Sequence, residues 1–172
     1  MTITYDPTYH GNPILTNKEK KLGCDTRILD KIESVMDHAT QKHNKVLAFR
    51  MDLSYPQNHH APQDNQDISK FMSKFIKQHK RQGIDMDYVW VREQSKEKHH
   101  HYHAAIFCDG NKKQHPQKLL QQAEKHWGQT VGVPGQGLVD HCTRSRSGQS
   151  QPNAYMLRRN DKSFDQTKAD CF

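Results

Sequence analysis

No apolar run in the sequence approaches the ~20 residues needed to cross a bilayer, and the first residues, Met1 to Asp6, lack the basic and apolar regions of a secretion signal. A cytoplasmic protein with no membrane partner is expected. Cysteine is scarce: Cys24, Cys108, Cys142 and Cys171 are far apart and form no Cys-x-x-Cys pair, so neither a zinc ribbon nor a disulfide framework is indicated and free thiols are expected. A Gly-Lys-Ser/Thr sequence is also missing, so the glycine-rich stretch from Gly128 to Gly137 is not a phosphate-cradling loop. Apolar residues make up only 33% of the chain and its mean hydropathy is -1.07, so the core is small and the surface wet.

What is present is positive charge and histidine. The formal charge of +7 suits a polyanionic partner, of which nucleic acid is the commonest for a basic protein. A length of 172 residues fits one domain. Residues 1–24 carry Pro7, Gly11, Pro13 and three lysines without apolar periodicity, and read as an irregular arm. The folded domain is expected over 25–172.

From Asp25 or Thr26 as cap, Ile28, Leu29, Ile32, Val35, Met36 and Ala39 fall at helical spacing to about His43. Val46 to Leu53 reads as a largely buried strand. Asp67 is positioned to cap a second helix, with Ile68, Phe71, Met72, Phe75 and Ile76 as its apolar stripe and Gly83 as its stop. Met86 to Glu93 and His101 to Cys108 read as two strands joined by a charged turn. A third helix begins near Pro116, with Leu119, Leu120, Ala123 and Trp127 inward. A short strand at Gly137 to Cys142 and a polar tail complete the pattern.

The chemistry is expected in the hairpin Glu93 to His103. Alternate residues of a strand share a face, so His101 and His103 point one way and Tyr102 the other. Glu93, on the neighbouring strand, can come level with them as a third ligand. Two imidazoles and a carboxylate with open positions form a catalytic type of metal site, accepting Mg²⁺ or Mn²⁺ as well as Zn²⁺. The competing reading is a histidine-rich tract without a ligand, in a chain with 13 histidines. Asp52 can reach the metal if its strand lies beside the histidine strand, or else partner a turn. Trp90 and Trp127 read as core residues.

Phe49-Arg50-Met51-Asp52-Leu53, Val91-Arg92-Glu93, His101-Tyr102-His103 and the block from Gly137 to Arg159 occur in an order that resembles the HUH endonucleases. These initiate rolling-circle replication, and the nearest likeness is to the inovirus and prophage replication initiators. The resemblance implies an α+β fold, a five-stranded antiparallel sheet flanked by helices, with a ferredoxin- or RRM-like core. It also implies a divalent metal, Mg²⁺ or Mn²⁺, on His101, His103 and Glu93, single-stranded DNA at a replication origin as substrate, and host replication proteins as partners. The reaction implied is metal-dependent nicking by a tyrosine, leaving a 5′-phosphotyrosine and a free 3′-hydroxyl.

In that family the nucleophile lies in a Tyr-x-x-Lys motif, placed in this subgroup just after a segment resembling Asp170-Cys171-Phe172. The expectation is a chain truncated before that motif, with Tyr155, and Arg158 in the lysine position, as the other candidate. Arg144, Arg146, Arg158 and Arg159 are candidates for phosphate contacts, against the alternative of a solvated basic surface. Two further readings stay open: an HUH-like module that binds single strands without cutting them, and a small-substrate metalloenzyme of unrelated fold.

Overall fold

The protein is described from a computed structural model, which covers residues 2–94, 99–145 and 147–171, without the side chains of residues 169–171. Two short antiparallel ladders come first. β1 (Ile3–Thr4) pairs with β4 (Cys24–Asp25), and β2 (Thr8–Tyr9) with β3 (Asn12–Pro13). The arm expected to be irregular is thus folded back on itself. It is tied to the first helix where the Tyr9 hydroxyl donates to Asp30 at 2.6 Å and His10 meets Glu33 at 2.7 Å. These contacts join residues more than 20 positions apart and leave no trace in a local pattern.

α1 (Thr26–Lys42) starts where expected, with the Asp25 side chain accepting from the Arg27 N–H. It leads into β5 (Lys45–Leu53), followed by α2 (Gln66–Arg81). Asp67 does not cap α2. The cap is Asn65, and Asp67 lies in the first turn, where its carboxylate accepts from the Tyr55 hydroxyl at 3.0 Å and favours the helix dipole. β6 (Met86–Glu93) and β7 (His101–Asp109) come next, then α3 (Gln117–Val131), β8 (Val139–Asp140), β9 (Ala154–Arg158) and α4 (Phe164–Cys171). Two differences from the pattern are physical. Only Val139 and Asp140 of the expected strand find a ladder partner, on β5, and the polar tail folds as a helix because Phe164 packs beside Leu157 and Met36.

The fold is α+β, with a five-stranded antiparallel sheet in which β7 and β5 are central, β6 forms one edge and β8 and β9 share the other side of β5. Odd positions of β5 and even positions of β7 enter one core with α2 and α3: Leu47, Phe49, Met51, Tyr102, Ile106, Phe71, Phe75 and Trp127 are all buried there. Val46, Ala48 and Phe107 face the other side, where Met36 and Ala39 of α1 and Leu157 of β9 cover them. α1 shields only part of that face. Beyond it the same strands carry Arg50, Asp52, Glu93, His101 and His103, all partly or fully exposed.

The return from α3 to the sheet depends on a close backbone approach. α3 ends on Gly132 at a φ of 86°, and a side chain on Gly135 would run into the Glu124 carbonyl. Among the described residues no helix is long and apolar enough to cross a membrane. Trp90 packs against the core and Trp127 is fully buried, its indole N–H donating to the Ser54 carbonyl at 2.8 Å. Trp127→Ala, which opens a cavity beneath Tyr55, Phe71 and Tyr102, is expected to cost about 3–5 kcal/mol in urea unfolding. A loss below 1 kcal/mol would mean that the two-helix layer does not carry the core.

Candidate metal centre

The site is a product of register. In β7 the period of two sends His101 and His103 to the open face while Tyr102, with no exposed surface, is locked in the core. The β6–β7 ladder sets Glu93 opposite His101, and the β5–β7 ladder sets Asp52 opposite His103. Residues directly opposite in an antiparallel pair share a face and lie about 5 Å apart, close enough for their side chains to meet. The charged turn expected between these strands falls at residues 95–98, which lie outside the described residues.

Glu93 Oε2 stands 2.6 Å from His103 Nε2 and 3.1 Å from His101 Nε2, and one ligand atom of each of the three side chains falls within a 4.8 Å cluster. Ligand atoms around one small divalent ion are roughly 3.0–3.4 Å apart, given bond lengths near 2.0–2.1 Å, so the three need only small rotations to share one. The donor set therefore fits a metal, and its chemistry, two borderline nitrogens and one hard oxygen, is open to Mg²⁺, Mn²⁺ or Zn²⁺.

His103 is held from behind. Its Nδ1 lies 2.7 Å from Asp52 Oδ1, which leaves Nε2 aimed at Glu93 and fixes the ring orientation a ligand requires. Asp52 itself is not among the clustered ligand atoms. Burial pushes its carboxyl up, but hydrogen bonds from His103 and Arg50 outweigh that and hold it at about 2. His103 is raised above its ordinary value, chiefly by that same bond to Asp52, and Glu93 is lowered, chiefly by the bond from His103. Arg50 completes the row, its guanidinium 3.0 Å from Asp52 on the same face of β5.

A groove of about 650 Å³ runs from His103 along the uncovered part of the sheet, lined by Arg50, Val91, Ala105, Ile32 and Tyr155 among others. Tyr155 is opposite Ala48 in the β5–β9 ladder, so it faces the groove, yet its row is four residues from that of Asp52 and His103. At ~3.3 Å per residue that is about 13 Å along the strand, further than a tyrosine side chain reaches. The structure thus brings Glu93, His101 and His103 together and leaves Tyr155 at the far end of the groove.

The arginines divide. Arg144 sits in the loop leading to β9 and donates to the Gly148 carbonyl, while Arg146 lies outside the described residues. Arg159 is turned to the carbonyls of Thr40 and Gln41, where it caps the C-terminal end of α1. Arg158 pairs with Lys45, at the end of β5 remote from Asp52. Arg50 and Asp52 had a usable sequence signal, since two charged residues alternate within an otherwise apolar strand. What could not be read was which strand lies beside them.

Titration with Mn²⁺ or Zn²⁺ followed by calorimetry is expected to show one site lost in His103→Ala, with Asp52→Asn weakening affinity about 10- to 100-fold. Saturating metal at about 100 times Kd should stabilise the fold by about 2.7 kcal/mol. Unchanged binding in His103→Ala would remove these residues as the ligands.

Comparison with curated proteins and with solved structures returned no match. The sequence model of one family, described as the YagK/YfjJ C-terminal domain, covers residues 4–172, which takes in the arm, the sheet and the histidine strand, and the chain belongs to that family.

Proposed function

We propose that the protein is a metal-dependent domain acting on single-stranded DNA, an HUH-type nicking domain of the kind that initiates rolling-circle replication in phages, prophages or plasmids. The observation that carries this reading is the convergence of Glu93, His101 and His103 on an open sheet face, with Asp52 orienting His103 from behind. A divalent metal bound there would polarise a scissile phosphate and stabilise the charge that grows on its oxygens.

The chain's own residues supply the rest of the reading. Arg50 stands beside the site, where its guanidinium can meet a neighbouring phosphate bidentately. The groove gives an extended strand an apolar floor, and Tyr155 gives a base a ring to lie against. No fold-wide restructuring is needed to admit a single strand, since this face is already uncovered by α1.

One observation favours a second reading, a module that binds single strands without cutting them. Of the six tyrosines, Tyr102 is sealed in the core, Tyr55 is buried and bonded to Asp67, Tyr88 pairs with Ile106 on the α2–α3 face, and Tyr5 and Tyr9 lie in the arm. Tyr155 shares the face of the triplet but stands about 13 Å away along the strand.

Incubation of the full chain with Mn²⁺ and labelled single-stranded oligonucleotides, followed by denaturing electrophoresis, separates the readings. Nicking predicts a metal-dependent covalent adduct or shortened strand that is lost, by at least 100-fold in rate, in His103→Ala. An adduct that persists in Tyr155→Phe places the nucleophile elsewhere. Salt-sensitive binding with no cleavage at any metal concentration would overturn the nicking reading and leave the binding module.

A further inference from the structure

The two helical layers differ sharply in charge. α2 and α3 together carry seven basic residues, Lys70, Lys74, Lys77, Lys80, Arg81, Lys118 and Lys125, and two acidic ones. Seven less two leaves five of the chain's net seven positive charges on these helices. Both acids are engaged: Asp67 accepts from Tyr55, and Glu124 lies 2.8 Å from His141. On the opposite layer the cations are largely paired, Arg27 with Asp25, Lys42 with Asp85 and Asp87, and Lys168 with Asp37.

The charge on α2 is also ordered. Lys70, Lys74, Lys77 and Arg81 follow the spacing i, i+4, i+7, i+11, which at 100° per residue confines them to about 60° of the helix circumference. The buried residues Ile68, Phe71, Met72, Phe75 and His79 occupy the other side, so the four cations stand outward, and all four are exposed. Among the described residues none of the four has a salt-bridge partner. At 1.5 Å per residue the stripe is about 16 Å long, enough to follow several consecutive phosphates. Four like charges held in a row repel one another, a cost that a polyanion removes.

We propose that this outer face of α2, flanked by Lys118 and Lys125 of α3, is a docking surface for the phosphate backbone of duplex DNA. The choice of duplex over single strand rests on what the surface lacks. Single-strand binding uses exposed aromatic rings on which bases stack. The Phe and Trp side chains of α2 and α3, Phe71, Phe75 and Trp127, are all fully buried, and neither helix holds a tyrosine. The stripe therefore offers only point charges on a straight, rigid rod, which suits backbone contact without base readout. It lies across the sheet from the metal centre, so both faces can be occupied at once: a duplex against the helices and a melted strand in the groove.

This inference rests on the reading of the protein as acting on DNA, but it is tested apart from cleavage. Fluorescence anisotropy of a short labelled duplex would be measured on the full chain between about 50 and 200 mM salt, for the parent, for K70Q/K74Q/K77Q/R81Q and for H101A/H103A. The fourfold variant is expected to lose at least tenfold in duplex affinity at the lower salt, with the slope of log K against log salt reduced by about 3.6, since each of the four phosphate contacts contributes about 0.9. The histidine variant should keep duplex binding within twofold even though it abolishes metal binding. If the fourfold variant proves unfolded by circular dichroism, K74Q/K77Q reads the same effect at about half the slope change. Duplex binding absent from the parent, or an affinity and salt slope unchanged in the charge variants, would overturn the proposal. A fourfold variant that loses single-strand binding as severely as duplex binding would overturn the division between the two faces.

Discussion

Everything chemical in this protein depends on one strand being held in register by two neighbours. β7 is hydrogen-bonded along its length to β6 and to β5. A slip of one residue on either side would turn its histidines into the core and expose Tyr102. The penalty against such a slip is large: Tyr102, Ala104, Ile106 and Cys108 all lie in the α2–α3 core with almost no exposed surface. Burying a pair of imidazoles in their place would strand polar groups away from water. Hydrophobic packing on one face thereby fixes the position of polar groups on the other.

The same sheet is covered unequally, and the site exists because of it. α2 and α3 seal one face with Phe71, Phe75, Leu119 and Trp127, whereas α1 and α4 close only the part of the other face that holds Val46, Ala48 and Phe107. The remainder of that face keeps charged residues in contact with water and with one another. Asp52 illustrates the balance: partial burial disfavours its charge, yet His103 and Arg50 at hydrogen-bond distance more than offset that cost. The result is a preorganised ring of charge whose orientation is set before any ligand arrives.

Much of the skeleton was legible from periodicity. The helical stripes of α1, α2 and α3 and the apolar runs of β5, β6 and β7 place their elements to within a residue or two, except at the end of α3, which continues through Gly128 to Val131 where the glycine-rich stretch reads as a loop. The misassignments fall where a distant partner decides. Asp67 has the chemistry of a cap, but the Tyr55 hydroxyl claims it. Residues 137–142 have the composition of a strand, but β5 offers a pairing partner to only two of them, since β9 occupies the rest of that edge. Residues 8–13 carry turn formers that mark a loop locally; they pair as a hairpin about the left-handed turn at His10 and Gly11, and α1 docks that hairpin through Asp30 and Glu33.

For the site, the sequence by itself determined that His101 and His103 share a face and that Glu93 could join them, because alternation is a property of any extended strand and the hairpin brings its two arms together. It also determined the stripe of cations on α2, because helical spacing is equally local. Tertiary structure alone decided that Asp52 stands behind His103 rather than in the cluster with Glu93 and His101, that Arg50 flanks the site, and that Arg159 caps α1. It also decided that Tyr155 faces the groove from four residues along the sheet. Each of those facts depends on which strands become neighbours and in what register. That is settled by contacts between residues 51 to 119 positions apart in the chain, and by no local signal.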